Sequence, residues 1–257
     1  MTARKTQIVD AFSVAAAATY DRAASMQRKF AGKLAEVVAR RPLAVNPRVL
    51  EIGCGTGALS EALLNRVDGG NFLITDLSPS MVESAKARIF DLRAQFGVLD
   101  GENPGEVRGP FDLVVSNMTV QWFSNLAAGL ETLAGLLAPG GRMVFTTLGA
   151  KTFREWRRGH DALGLDHGVP DFPEARTLYK LLPGRGDGDV AELEIKAPFA
   201  DAFAFVRNLK EIGASVPVGG HRPLGPGDFR NLAKKLGKDF GVTYHVLTVD
   251  FIKNPEQ

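Results

Sequence analysis

The chain contains one cysteine, Cys54. A lone thiol closes no internal disulfide and supplies no multi-cysteine zinc site, so nothing indicates an oxidising compartment and a cytoplasmic setting is the expectation. No apolar run approaches the roughly 20 residues that cross a bilayer, so no membrane span is expected. At the start, Arg4 and Lys5 precede an alanine run, but Asp10 interrupts the stretch and no cleavage pattern follows, so it does not read as an export signal. A formal net charge of +2 is too small to suggest nucleic acid, because tracking phosphates requires a concentrated basic face. Cations do gather at Arg28, Lys29 and Lys33, at Arg154, Arg157 and Arg158, and at Lys234, Lys235 and Lys238. Each group has the pattern of a solvated helix face. Repeats are absent, and the only low-complexity stretch is Ala15 to Ala18.

The 257 residues are 45% hydrophobic and 23% charged, the composition of a soluble globular protein with a well-buried core. Met26, Phe30, Leu34 and Val37 to Val38 recur at helical spacing, and the pattern ends at Arg40-Arg41 before Pro42, a normal helix exit. From there, short apolar runs alternate with helical stretches. The runs are Arg48 to Ile52, Asn71 to Thr75, Gln95 to Leu99, Phe111 to Ser116 and Arg142 to Thr147. Such alternation means βαβ crossovers and a parallel sheet. Asp189 to Lys196 and Val242 to Ile252 complete seven strands. The segments after strand ends, Lys151 to Gly188 and Asp201 to Gly241, carry helical patches at Ala204 to Ile212 and Asp228 to Leu236. Ligands of open α/β sheets sit outside the carboxyl ends of the strands, so these segments are placed as lids. We therefore expect a single α/β domain over 1–257: a helical cover at 1–45, a ligand-binding core at 46–150, lids at 151–188 and 201–241, and the last strands at 189–200 and 242–253.

Val49-Leu50-Glu51-Ile52-Gly53-Cys54-Gly55-Thr56-Gly57 is a strand running into a glycine-rich turn, with a helix from about Ala58. Glycines there let the backbone approach a ligand at the helix N-terminus. The pattern Gly53-x-Gly55-x-x-Ala58, with Asp76 at the end of the next strand, also fits a dinucleotide fingerprint. Glu51 separates the two readings. A carboxylate at the first strand tip repels a pyrophosphate but suits a ligand that ends in an ammonium group. S-adenosylmethionine is such a ligand, with a zwitterionic amino acid, a sulfonium and no phosphate. Asp76 then accepts from ribose hydroxyls, Leu77 and Met81 pack beside adenine, Asp100 and Gly101 meet the adenine amine, and Asn117 and Met118 complete the methionine side. Each residue also has an ordinary structural role: the glycines a tight turn, the aspartates helix capping, Met81 core packing, and Cys54 a small residue lining the turn without an activating partner.

Glu51-x-Gly53-x-Gly55-x-Gly57, Asp76, Asp100 and Leu136-Leu137-x-Pro139-Gly140-Gly141 resemble the class I S-adenosylmethionine-dependent methyltransferases over about residues 45 to 150. That resemblance implies a seven-stranded, doubly wound, Rossmann-like sheet with an antiparallel last strand. Outside the core, Phe12-Ser13-x-Ala15-Ala16 with Tyr20-Asp21 and Gln27, Ser116-Asn117-x-x-Val120-Gln121-Trp122, Phe145 to Leu148, Arg207 to Ala214 and Thr243-Tyr244-His245 are similar to the malonyl-acyl-carrier-protein O-methyltransferases of biotin synthesis. The region from 160 to 190 departs from that family's pattern. The resemblance implies a cytoplasmic, monomeric enzyme that uses S-adenosylmethionine to esterify the free carboxylate of malonyl-acyl carrier protein, or of malonyl-coenzyme A.

A malonyl carboxylate is ionised at pH 7, so no general base and no metal are needed, and proximity and orientation in a desolvated pocket suffice. Arg207 and Lys210, three apart on one helix, can bind the carboxylate, Arg through a directed fork. Tyr20 can donate a hydroxyl hydrogen bond, Gln121 and Trp122 form an acceptor wall, and His245 is next in line. The bland readings are a solvated or carrier-facing helix face for Arg207 and Lys210, a cofactor cap for Tyr20, core packing for Trp122 and a satisfied structural histidine for His245. Two other functions stay open: a methyltransferase acting on another small acid, phenol or quinone precursor, and a protein-modifying respiratory assembly factor.

Overall fold

A computed structural model describes residues 2–18, 20–217 and 220–255. The side chains of Ala15 to Ala18 and residues 218–219 of the 201–241 segment lie outside the described set. Three helices come first, α1 (Ala3–Ala18), α2 (Tyr20–Ala23) and α3 (Ser25–Ala39). Then follow β1 (Arg48–Ile52), α4 (Ala58–Leu64), β2 (Asn71–Asp76), α5 (Pro79–Arg88), β3 (Ala94–Val98), β4 (Phe111–Asn117), α6 (Leu126–Gly135) and β5 (Leu137–Leu148), strands and helices alternating except from β3 to β4. The chain continues through α7 (Arg154–Asp161), α8 (Ala175–Lys180), β6 (Gly186–Phe199), α9 (Ala202–Glu211), α10 (Pro226–Leu236) and β7 (Phe240–Lys253).

The seven strands form one sheet in the order β3-β2-β1-β4-β5-β7-β6. β1 pairs parallel with β2 and β4, while β7 runs antiparallel to both β5 and β6. The strand order reverses beside β1, and an open α/β sheet leaves its ligand crevice at that point. Local chemistry sets the helix starts: Pro79 takes the first turn of α5, and the Asp201 carboxylate accepts from the Ala204 N–H at 2.8 Å to open α9. One face of β1 and β4, through Val49, Leu113 and Val115, buries against Leu34, Leu59 and Leu63 of α3 and α4. The other face, through Leu50 and Val114, packs on Leu130 and Leu133 of α6. A third cluster centred on Phe205 of α9 joins Phe153, Trp156 and Leu232 to Phe240, Val242 and Tyr244 of β7.

Arg142 is a buried charged side chain that bolts helix to sheet from the interior. Its guanidinium donates to Asp250 Oδ2 at 2.9 Å and to the Val38 carbonyl at 3.0 Å, a carbonyl at the α3 exit that also accepts from the Arg41 N–H at 3.4 Å. Replacing it with methionine leaves the partly buried Asp250 only the Arg41 guanidinium at 3.6 Å and removes the side-chain donor from the Val38 carbonyl, a loss of about 2 kcal/mol. Urea unfolding should show a lower midpoint at unchanged slope. A midpoint equal to wild type would mean that the pair contributes nothing net.

Candidate active site

β1 ends at Ile52 and α4 begins at Ala58, so five residues must reverse the chain directly above the sheet. Gly53, Gly55 and Gly57 do so with φ of 72°, 54° and 90°, values that a side chain disfavours. At Gly53 there is also no room, because a Cβ would overlap the Thr119 side chain. The next strand end locks the turn in place: Asp76 Oδ2 accepts from the Gly55 N–H at 2.9 Å and Oδ1 from the Ser78 N–H at 2.8 Å. Burial pushes the Asp76 carboxyl up, while these backbone donors hold it down.

Below the turn, Glu51 is 2% exposed. Its Oε2 accepts from the Ser60 hydroxyl at 2.6 Å, and Oε1 is buried with no partner. Burial pushes this carboxyl up to about 7, with Asp76 adding to the rise and Ser60 opposing it. The neighbouring Cys54 thiol is raised by burial and then by Asp76 and Glu51, so it stays protonated.

All twelve residues expected to hold the cofactor line one cleft: Gln27, Glu51, Gly53, Cys54, Gly55, Asp76, Leu77, Met81, Asp100, Gly101, Asn117 and Met118. Asn117 is fixed from two sides, donating to the Gln27 carbonyl at 3.0 Å and accepting from the Thr146 hydroxyl at 2.8 Å. α1 and α2 close over the cleft. The Ser13 and Ser78 hydroxyls are 3.0 Å apart, and the Thr56 hydroxyl donates to Asp21 at 2.5 Å. Lys5 reaches Asp100 at 2.6 Å and Glu102 at 2.7 Å. This clamp was not foreseen, because the sequence separates its partners by 95 residues.

A second, wider cavity of about 520 Å³ adjoins the first. Phe12, Tyr20, Gln27, Met118 and Trp122 line both, so the two spaces meet at these five side chains. Burial, then the charges of Asp76 and Asp21, hold the Tyr20 phenol far above its ordinary range, which keeps it a hydrogen-bond donor. Trp122 is wedged edge-on against Phe12, with ring centroids 5.6 Å apart.

Of the residues expected on the acceptor side, Gln121 and Lys210 line the second cavity, and Tyr20 and Trp122 the junction. Arg207 and His245 are in neither lining. Arg207 is exposed because it stands two residues, or about 200°, around α9 from the buried Phe205. His245 is corrected to a structural histidine. Strand alternation puts its neighbour Tyr244 on the cavity wall, while the buried His245 accepts from the Lys151 N–H at 3.3 Å and meets Glu192 at 2.8 Å. Sequence reasoning missed His160, His167 and His221, which do line the second cavity. Trp156 and His160, four apart and both buried on α7, were the available signal for the first of them.

A sheet of this order with an antiparallel β7, a glycine turn above an orphaned carboxylate oxygen and an acidic second strand end together define a class I methyltransferase fold and site. Residues 50–143 match the model of the methyltransferase domain family. The malonyl-[acyl-carrier protein] O-methyltransferase of Magnetococcus marinus is 44% identical over 236 residues, which is 90% of this chain and 87% of that one. The chain belongs to the malonyl-[acyl-carrier protein] O-methyltransferase family. The biotin biosynthesis bifunctional protein BioCD of Bordetella avium is 38% identical over 90% of this chain, which spans about half (49%) of that longer one. Phosphoethanolamine N-methyltransferase 2 of Haemonchus contortus, solved in complex with S-adenosyl-L-methionine, shares the fold, with a TM-score of 0.56 and 16% identity over 87% of this chain and 52% of that one.

Proposed function

We propose that this chain methylates the free carboxylate of a malonyl thioester carried on acyl carrier protein, with S-adenosylmethionine as methyl donor, at the stage of biotin synthesis where the relatives act. The observation that carries the reading is the junction. A narrow cleft with an ammonium-seeking carboxylate opens, at Tyr20, Gln27, Met118 and Trp122, onto a larger and mainly apolar chamber. The cleft fits the donor on its own chemistry, since the partnerless Glu51 Oε1 asks for a cation and the Gly53 turn admits only backbone.

Glu51 would serve the ammonium, Asp76 the ribose hydroxyls, Leu77 and Met81 the adenine face, Asp100 and Gly101 its amine, and Asn117 and Met118 the methionine chain. When bound, S-adenosylmethionine supplies a sulfonium methyl that an ionised carboxylate oxygen takes as the S–C electron pair returns to sulfur, with no proton transferred. The chain's own residues therefore need to orient and exclude water rather than move protons. Phe12 and Trp122 wall the junction, the Tyr20 hydroxyl offers one neutral donor that leaves the oxygen nucleophilic, and the 151–188 and 201–241 segments cover the chamber. Lys210 supplies a cation on the chamber wall.

Transfer of labelled methyl from S-adenosylmethionine to malonyl-acyl carrier protein, giving a base-labile product, tests the reading. Label on a free small acid or on a protein side chain, with none on the malonyl thioester, would sink it. Tyr20→Phe should reduce turnover of the malonyl acceptor about tenfold. Calorimetric affinity for the demethylated donor should change far less.

A further inference from the structure

Three of the chain's four histidines, His160, His167 and His221, line the second cavity. Their hydrogen bonds fix which ring nitrogen carries the proton in two of them. His160 Nδ1 lies 2.8 Å from the Trp156 carbonyl, so it must donate there, and Nε2 keeps a lone pair. His167 Nδ1 accepts from the Val169 N–H at 3.0 Å, so its proton sits on Nε2. Neither Nε2 has a partner among the described residues. Burial pushes both rings down, so they stay neutral at neutral pH. Beside burial, His167, His221 and Asp161 act on His160, and Arg157, Asp166, Asp161 and Asp171 on His167. The third ring, His221, is held by Asp166 at 2.9 Å and packs over Gly168. Around them the wall is apolar, with Phe153, Trp156, Phe205, Leu224 and Phe229.

One imidazole thus offers a donor and its neighbour an acceptor, with ring centroids 6.4 Å apart. A carboxylate would face the His160 lone pair and be repelled. An amide presents both complementary groups: its N and O lie about 2.3 Å apart, and a hydrogen bond of about 2.9 Å at each end bridges ring nitrogens up to about 8 Å apart. We infer that His160 and His167 form a subsite for an amide of the pantetheine arm that carries the acyl group, with His167 donating to the amide carbonyl and His160 accepting from its N–H. This rests on the malonyl-thioester reading above. It also separates two tasks in the chamber, since the carboxylate is received at the junction and the uncharged arm at the histidine pair.

The experiment compares methyl transfer to malonyl methyl thioester, which has no amide, with transfer to malonyl-N-acetylcysteamine and malonyl-pantetheine, which carry one and two. In the wild type, kcat/KM rises along the series. In His167→Ala the ratio of kcat/KM for malonyl-pantetheine over the amide-free thioester should fall about tenfold. The loss should appear in KM rather than kcat, and His167→Gln, which keeps an N–H donor, should recover most of it. Calorimetric binding of S-adenosylhomocysteine certifies folding, and His167→Phe, which keeps the ring volume without the donor, repeats the test if the alanine variant does not fold. An unchanged ratio in a folded variant, including equal losses on all three acceptors, overturns the amide subsite. A wild type that methylates none of the three thioesters instead overturns the acceptor reading, and the subsite with it.

Discussion

Glu51→Gln should weaken binding of S-adenosylmethionine about 100-fold while making the ligand-free protein more stable above pH 7. Both effects come from one buried carboxylate that is only half satisfied. Within the cleft, Glu51 has Ser60 on Oε2 and no protein partner on Oε1 among the described residues, and burial raises its pKa from 4.5 to about 7. A carboxyl whose folded pKa is raised favours folding most fully when protonated. Its contribution is therefore intact below pH 4.5, falls as pH rises through the interval and is gone above about 7. The span corresponds to about 3 kcal/mol at most, or about 6–10 °C of melting temperature for a chain of this size. Glutamine keeps the acceptor for Ser60 and never ionises. Melts of the ligand-free proteins should thus coincide near pH 5 and separate at pH 8, with the variant higher. Adding S-adenosylmethionine at pH 8 should reverse the order, because a buried ammonium without its counter-charge costs about 3 kcal/mol, or about 100-fold in Kd. Equal affinity in the two proteins would show that Glu51 does not face the ammonium.

The cleft was legible in the sequence because its chemistry is local. A carboxylate, three glycines and the acid ending the next strand lie within Glu51 to Asp76, and the parallel pairing of β1 with β2 brings their ends together. The strands were legible for the same reason, apart from their limits. β6 begins at Gly186 rather than Asp189 and runs through Pro198 to Phe199. It is an edge strand paired only with β7, and edges tolerate the glycines and proline that made those ends look like loop. Gly186 is in fact required there, since a Cβ would run into the Ile252 carbonyl. The second cavity was less legible because it is assembled from distant pieces. Phe12 of α1, Trp122 beyond β4, His160 of α7, Leu209 of α9 and Tyr244 of β7 meet only in the folded chain. A pair of cations three apart on α9 suggested a shared face, but the rotation set by Phe205 sends Arg207 outward and leaves Lys210 at the wall. The Lys5 clamp on Asp100 and Glu102 escaped for the same reason, as an ion pair between the first helix and the third strand's exit has no local signature.

Gly53→Ala should abolish methyl transfer and destabilise the fold by about 3 kcal/mol, and a second substitution should separate its two causes. The first cause is steric. The new methyl would occupy the space of the Thr119 side chain, whose hydroxyl donates to the Gly53 carbonyl at 3.2 Å and to the Asn117 carbonyl at 3.1 Å. Either the glycine turn or the exit of β4 must move, and both line the cleft. The second cause is conformational: φ at Gly53 is 72°, where an L-residue costs about 1–2 kcal/mol. Thr119→Gly clears the space but leaves the backbone strain. The double variant should therefore regain about half of the lost stability, and the coupling between the two positions should be favourable and larger than 1 kcal/mol. Methyl transfer should return only in part, since the turn still carries strain and has lost the hydroxyl that tied it to β4. Additive losses would mean that the turn shifts without touching Thr119. In that case the cleft could accept a side chain at position 53, and the case for close backbone approach to the methyl donor would fail.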